Sequence, residues 1–225
     1  MFGRLFDGFV ALLIRFVCKV DASEFRKLPQ EGPYIIIFNH INFLEAPLFY
    51  LKFRPRRVYA IMKTEISTTF LIGRIAKRWG GIPLKRGAPP SAAFRKSAEL
   101  LDEGAIIALA PEGTRSRDGK LQRGNPGIVT LALHNDALIY PLGHFGSQEL
   151  GRNLKRLRRT PVTLKVGAPF KLKAPEKLNK ESRAALTEQM MLRIAALLPE
   201  ELRGTYADTP DRSGEFLEFT EESKG

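Results

Sequence analysis

Tyr34-Ile35-Ile36-Ile37-Phe38-Asn39-His40 is the stretch that decides the fold. An unbroken apolar run rich in isoleucine suits a strand buried on both faces of a sheet. The run stops at a polar pair, Asn39-His40, so a histidine is delivered to the end of a buried strand. Open α/β sheets place their ligand sites there. Upstream, Pro29–Pro33 is turn-rich, and downstream a helix is expected to begin near Pro47, a residue tolerated in a first helical turn.

Outward from this core the chain alternates. Arg57–Met62 reads as a strand, Thr68–Trp79 as a helix and Ile82–Leu84 as a brief strand. Ala92–Leu101 is helical, Ala105–Ala110 is a second apolar run, and Pro111–Gly124 is a polar, glycine-rich loop. Gly127–His134 reads as a helix, Ala137–Leu142 and Val162–Val166 as strands, and Lys180–Leu198 as a strongly patterned helix. Strands alternating with helices predict a single α/β domain over residues 29–200, with a central mixed, largely parallel sheet flanked by helices. Residues 201–225 mix Gly, Pro, Thr, Asp and Glu, and a loosely ordered tail is expected there.

A chain of 225 residues fits one domain and can bury a sizeable core without disulfides or a structural metal. Cys18 is the only cysteine, which excludes an intrachain disulfide and a multi-cysteine zinc site. Lysine and arginine number 36 against 24 aspartates and glutamates, a net charge of +12. Such a surplus favours an anionic partner: nucleic acid, lipid headgroups, or a phosphorylated substrate or carrier.

In residues 1–28, Phe2, Leu5, Phe6, Phe9, Leu12, Leu13, Phe16 and Val17 recur at helical spacing. Asp7 and Arg15 interrupt the pattern, so the segment is a poor membrane span, which needs roughly 20 mostly apolar residues. It also lacks the small-residue cleavage site of a signal peptide. An amphipathic helix lying in a membrane interface fits it; so does an ordinary core-packing helix.

Three segments carry chemistry. In Asn39-His40-Ile41-Asn42-Phe43-Leu44-Glu45-Ala46-Pro47, a carboxylate follows the histidine five positions on. On an ideal helix that offset separates two side chains by about 140°. With His40 on a strand-end turn and Glu45 at the start of a helix, the two can meet. A neutral imidazole then takes a proton from a hydroxyl while the carboxylate fixes its tautomer. The same residues also fit a helix cap formed by Asn42 and Glu45. In Gly80–Gly87, Lys85 and Arg86 follow a short strand between glycines, which suits a phosphate grip or a solvated basic turn. In Ala110–Gly119, Glu112, Gly113, Thr114 and Arg115 follow an apolar run and can form an anion cradle, with a plain surface loop as the other reading.

These segments in this order, with Ile139-Tyr140-Pro141-Leu142 as a fourth, resemble the glycerolipid acyltransferases, whose bacterial members include the 1-acylglycerol-3-phosphate acyltransferases. The family pattern is a His-x4-Asp box, an Ile-Pro-x-x-Arg-type box, a Glu-Gly-Thr-Arg-Ser box and a Val-Pro-type box. The resemblance implies an O-acyltransferase with His40 as general base, oriented by Glu45. Arg86 and Arg115, with Lys85 beside them, would hold a phosphate, and Glu112, Gly113 and Thr114 would position the acceptor. It implies neither cofactor nor metal, an acyl-CoA or acyl-ACP donor and a lysophosphatidic-acid-like acceptor. The protein would act on the cytoplasmic face of the cell inner membrane, as a peripheral or monotopic protein held by the N-terminal helix and basic patches.

Two departures stand out. Glu45 occupies the place of the usual aspartate, and Gly124-Asn125 stand where relatives commonly carry Phe-Lys, with Arg123 one position earlier. They leave room for a different lysolipid or amino-acid-lipid acceptor, or for a lipid-binding member without turnover. The absence of a Gly-x-Ser-x-Gly elbow agrees with a mechanism that needs no acyl-enzyme. Nucleic-acid binding fits the charge, but no recognisable module supports it. Arg152, Lys155, Arg156, Arg158 and Arg159 form a basic cluster suited to anionic headgroups or an acidic carrier, and equally to a solvated face.

Overall fold

A computed structural model describes residues 2–63, 70–84 and 91–220. Lys85 and Arg86, the candidate phosphate grip, lie outside the described residues.

The central run forms β2 (Tyr34–Phe38), every residue of it buried. It pairs in parallel with β5 (Ile106–Leu109) on one side and β6 (Ile139–Phe145) on the other. Beyond β5 come β3 (Val58–Lys63) and then β4 (Gly81–Leu84), both parallel. Beyond β6, β7 (Thr160–Val166) runs antiparallel and carries β1 (Cys18–Asp21) in parallel at its outer edge. The start of β6 also pairs with β8 (Phe170–Leu172), which pairs with β9 (Leu217–Phe219). The sheet is mixed and largely parallel, as the alternating pattern requires.

The two-residue period of β2 assigns its side chains to two cores. Ile35 and Ile37 pack with Ile107, Leu109 and Ile139 beneath α4 (Ser91–Asp102), α5 (Gly127–His134) and α7 (Lys180–Ala195). Tyr34, Ile36 and Phe38 pack on the opposite face, with Ile106, Tyr140 and Leu142. That face is covered by α1 (Phe2–Val17) and α2 (Glu45–Phe53). Three further α-helices lie among the described residues: α3 (Phe70–Arg78), α6 (Leu150–Lys155) and α8 (Ser213–Phe216).

The expected boundaries change at both ends. Residues 18–28 belong to the sheet domain, because β1 pairs with β7 and Phe25 and Leu28 are buried in the core. Parts of the expected loose tail are instead anchored to the domain. Leu202, Tyr206 and Leu217 are buried, and β9 extends the sheet. Strands this short carry too few residues to show a period.

Asp7, which interrupts the apolar pattern of α1, is buried. It accepts hydrogen bonds from Arg78 at 2.7 Å, Arg54 at 2.9 Å and Tyr50 at 3.3 Å. Burial pushes its carboxyl up, but the hydrogen bonds and charges of these partners outweigh that and hold it below the ordinary aspartate value. The anchor turns Val10, Ile14 and Val17 inward. It leaves Leu5, Phe9, Leu12, Leu13 and Phe16 exposed on the opposite side, within an arc of about 100° on a helical wheel. No helix among the described residues is long and apolar enough to cross a membrane.

Candidate active site

The chain leaves β2 at Phe38 and turns through Asn39–Leu44 into α2, whose first residue is Glu45 rather than the expected Pro47. This turn brings the sequence-predicted pair together. Glu45 is buried, and one of its carboxylate oxygens, Oε2, meets Nδ1 of His40. The other, Oε1, accepts the backbone N–H groups of Ile41 and of Asn42, the latter at 2.7 Å. The side chain therefore closes the pre-helical turn and holds the histidine at once, while the N-cap of α2 is Leu44, without a side-chain cap hydrogen bond, and not the expected Asn42. Asn42 accepts the N–H of Leu44 at 2.9 Å and donates to the carbonyl of Ser147 at 2.9 Å, which ties the turn to the end of β6.

With a carboxylate on Nδ1, the imidazole carries its proton there, leaving the lone pair on Nε2. The His40 side chain is 31% exposed, and Nε2 has no hydrogen-bond partner among the described residues. Nε2 thus faces open space at the end of the sheet, the orientation of the ring fixed from behind.

The loop after β5 supplies the second wall. Its glutamate, expected to position the acceptor, turns inward. Buried Glu112 instead accepts the backbone N–H of His40 at 2.6 Å and of Gln122 at 2.9 Å, locking the two loops together. The His40 carbonyl in turn accepts the N–H of Ser116 at 2.7 Å. Burial pushes the Glu112 carboxyl up, and the two N–H donors offset part of that rise. Gly113, at φ +66°, Thr114 and Arg115 lie at the exposed tip of this loop, and Arg115 makes no ion pair with the described residues. A guanidinium in that state is available to an anionic ligand.

The local sequence concealed several supporting residues. Tyr206, in the supposed tail, accepts the N–H of Gly124 at 3.0 Å, and Leu121 donates its N–H to Leu202 at 2.9 Å, so the C-terminal turns brace the Glu112 loop. The Gly124 departure also has a cause. A Cβ there would meet Met191 Cγ and Thr187 Cγ2, both at 2.7 Å, so α7 fills the space a larger residue would need. Phe43 stands exposed in the His40 turn. Among the described residues no group of three or more His, Cys, Asp or Glu side chains is placed to hold a metal ion.

The basic cluster divides. Arg159 donates to the carbonyl of Cys18 at 2.7 Å, and Arg152 pairs with Glu149 at 2.8 Å. Lys155, Arg156 and Arg158 are exposed, next to the outward-pointing Leu154 and Leu157.

A strand-end histidine backed by a carboxylate stands beside an exposed Gly-Thr-Arg tip on a largely parallel sheet, the arrangement that the acyltransferase resemblance leads one to expect. The sequence profile of the Acyltransferase family matches residues 19–144, more than half of the chain, and the chain belongs to that family. Among its relatives is the 1-acyl-sn-glycerol-3-phosphate acyltransferase of Bacillus subtilis, 28% identical over 190 residues, which cover 84% of this chain and 92% of that protein. The chloroplastic 1-acyl-sn-glycerol-3-phosphate acyltransferase of Arabidopsis thaliana is 28% identical over 208 residues, 85% of this chain. The chain spans about half the length of the plant relatives, 58% of the Arabidopsis protein and 45% of one from Brassica napus. The fold matches that of the 1-acyl-sn-glycerophosphate acyltransferase PlsC from Thermotoga maritima. The TM-score is 0.62 at 23% identity, covering 89% of this chain and 79% of that one.

Proposed function

We propose that the protein transfers a fatty acyl group from an acyl thioester, acyl-CoA or acyl-ACP, to the free hydroxyl of a lysophosphatidic-acid-like acceptor. The observation that carries this reading is the open Nε2 of His40, its ring held by Glu45, beside an exposed Arg115 that makes no ion pair among the described residues. His40 takes the hydroxyl proton at Nε2 as the oxygen attacks the thioester carbonyl. The new C–O bond forms, the C–S bond breaks, and the departing sulfur receives the proton back from the imidazolium. Glu45 stabilises that imidazolium. A thiolate leaves readily, so one base suffices. Arg115, together with Lys85 and Arg86, receives the acceptor phosphate, and relatives named for a 1-acylglycerol-3-phosphate acceptor support that choice of acceptor.

The same reading places the enzyme on a membrane surface, on the cytoplasmic face of the inner membrane. Fully burying one leucine or phenylalanine side chain is worth about 1.5–3 kcal/mol. The outer face of α1 offers Leu5, Phe9, Leu12, Leu13 and Phe16 together, and Leu154 and Leu157 flank its C-terminal end. Arg15, Lys155, Arg156 and Arg158 rim this patch, as attachment to anionic headgroups requires.

The test is acyl transfer from radiolabelled acyl-CoA and acyl-ACP by the purified protein. Lysophosphatidic acid is compared with a lysolipid lacking the phosphomonoester, and His40→Ala serves as the control. Transfer to lysophosphatidic acid that disappears in the control is expected. Product formation independent of His40, or none with any acceptor, would sink the reading.

A further inference from the structure

His144 has no part in the mechanism above, yet its ring points into the site. It lies in β6, fully buried, with Nε2 3.3 Å from Oε1 of Glu45 and 3.3 Å from Oγ of Ser147. Its Nδ1 has no hydrogen-bond partner among the described residues. Its backbone is held from the other direction: Asn39 donates to the His144 carbonyl and accepts the His144 N–H, each at 2.8 Å. Asn39 is the residue before His40. The backbone of His144 is thus fixed to one neighbour of the base, while its ring abuts the carboxylate that orients the base.

The tautomer follows from what each nitrogen faces. A proton on Nδ1 would bury an N–H with nothing to accept it and set the Nε2 lone pair against a carboxylate oxygen. A proton on Nε2 leaves only a lone pair unpaired and puts the N–H nitrogen 3.3 Å from Ser147 Oγ and from Glu45 Oε1, an ion-pair distance to the carboxylate rather than a formed hydrogen bond. Stranding a buried donor is costly, so Nε2–H is the form present. At 3.3 Å the contact is longer than an ordinary hydrogen bond. Catalytic contacts commonly tighten only when substrate binds.

We infer that His144 is a positioning residue for the acyl transfer: its Nε2–H holds Oε1 of Glu45, so that Oε2 stays on Nδ1 of His40. The inference rests on the acyltransferase reading. It also gives the length of Glu45 a purpose, because one carboxylate spans two imidazoles while closing the Ile41–Asn42 turn. Three groups face the ring: the Glu45 carboxylate from α2, His40 from the preceding turn, and the Ser147 hydroxyl. Burial lowers the His144 pKa, the Glu45 charge opposes that, and His40 adds to it. The ring is therefore a neutral donor rather than a second base.

His144→Leu and His144→Gln separate positioning from packing, since glutamine keeps an N–H near Nε2 and leucine does not. In His144→Leu, kcat is expected to fall about 10- to 100-fold, the scale of a misplaced catalytic group, while KM for lysophosphatidic acid and Tm hold. His144→Gln should recover most of the rate. In a Glu45→Gln background His144→Leu should cost nothing further, because it acts through Glu45. Equal kcat for the leucine and glutamine variants, or losses that multiply in the double variant, would overturn the inference. The chain has three histidines, so long-range ¹H–¹⁵N spectra resolve each ring without any substrate. An Nε2–H tautomer at His144, and His40 ring signals that move in His144→Leu, are expected. An Nδ1–H tautomer, or an unmoved His40, overturns the inference even in a protein that turns nothing over. Absence of turnover in the wild type would by itself sink only the acyltransferase reading.

Discussion

Glu112 accepts the backbone N–H of His40 across 72 positions of sequence, so the loop after β5 fixes the backbone of the residue that leaves β2. Its other oxygen holds the N–H of Gln122. In Glu112→Gln one of these N–H groups must face an amide NH₂, and in Glu112→Ala both lose their acceptor. Leaving a buried donor unsatisfied costs about 1–3 kcal/mol. The glutamine variant is expected to lose stability on that scale, and the alanine variant more. Both should lose kcat through displacement of His40. Thermal unfolding and steady-state kinetics measure the two effects, and an alanine variant with wild-type Tm would refute the bracing role.

Glu45→Asp restores the residue of the family pattern, yet a loss of rate is expected. The carboxylate retracts by about a bond length, and misplacement of about 1 Å can cost a hundredfold. Oε1 already serves Ile41 and Asn42, and Oε2 serves His40, so a shorter side chain cannot keep all three. A rise in kcat would show that the site is not built around glutamate.

How far the sequence discloses this site depends on how local each cause is. The Tyr34–Phe38 run gives the buried strand, its neighbours and the delivery of His40, because hydrophobic period is a local property. His40 and Glu45 are five residues apart, and one turn decides their meeting. Asp7 reads as a break in an apolar pattern, because its partners Arg54 and Arg78 lie 47 and 71 residues away. His144 has no local mark in an apolar strand, and β8, β9 and the turns around Leu202 and Tyr206 are too short to show a period. What stayed hidden was long-range pairing.

His144 gives the fold an acid sensitivity of defined sign. Unfolded, its imidazole takes up a proton near the ordinary value of 6.5; folded, burial keeps it neutral below that. The unfolded state binds more protons, so stability falls as pH drops through that value. Asp7 and Glu24, whose folded values are lowered, lose their contributions only below their ordinary 3.8 and 4.5. Glu112, raised by burial, works in the opposite direction. Denaturant unfolding of wild type and His144→Leu between about pH 7 and 5 isolates the histidine. The wild-type curve should fall more steeply, and parallel curves would show that His144 protonates in the folded state.

Gly124 carries the family departure into packing. A Cβ there would meet Met191 Cγ and Thr187 Cγ2, and the residue's N–H donates to Tyr206. Gly124→Ala is expected to cost about 1–3 kcal/mol by overpacking. Gly124→Phe should cost more, because α7 would have to move. Chemical denaturation measures both, and an unchanged midpoint for the alanine variant would show that Met191 yields without strain.

The outward face of α1 makes the last prediction. Asp7 fixes the helix by its inner side, so Leu12 and Phe16 can change without touching the core. Leu12→Glu with Phe16→Glu removes two apolar contacts and adds two like charges facing anionic lipid. Binding to vesicles containing phosphatidylglycerol should fall by at least about tenfold, since losing two buried side chains exceeds the 1.4 kcal/mol that a factor of ten requires. The Tm and the acyl transfer to a detergent-dispersed acceptor should hold. Asp7→Asn has the converse signature: it leaves Arg54 and Arg78 without their carboxylate, so stability should fall while the apolar face remains. Sedimentation with vesicles and thermal unfolding distinguish the two variants, and undiminished sedimentation of the double glutamate variant would move the membrane contact away from α1.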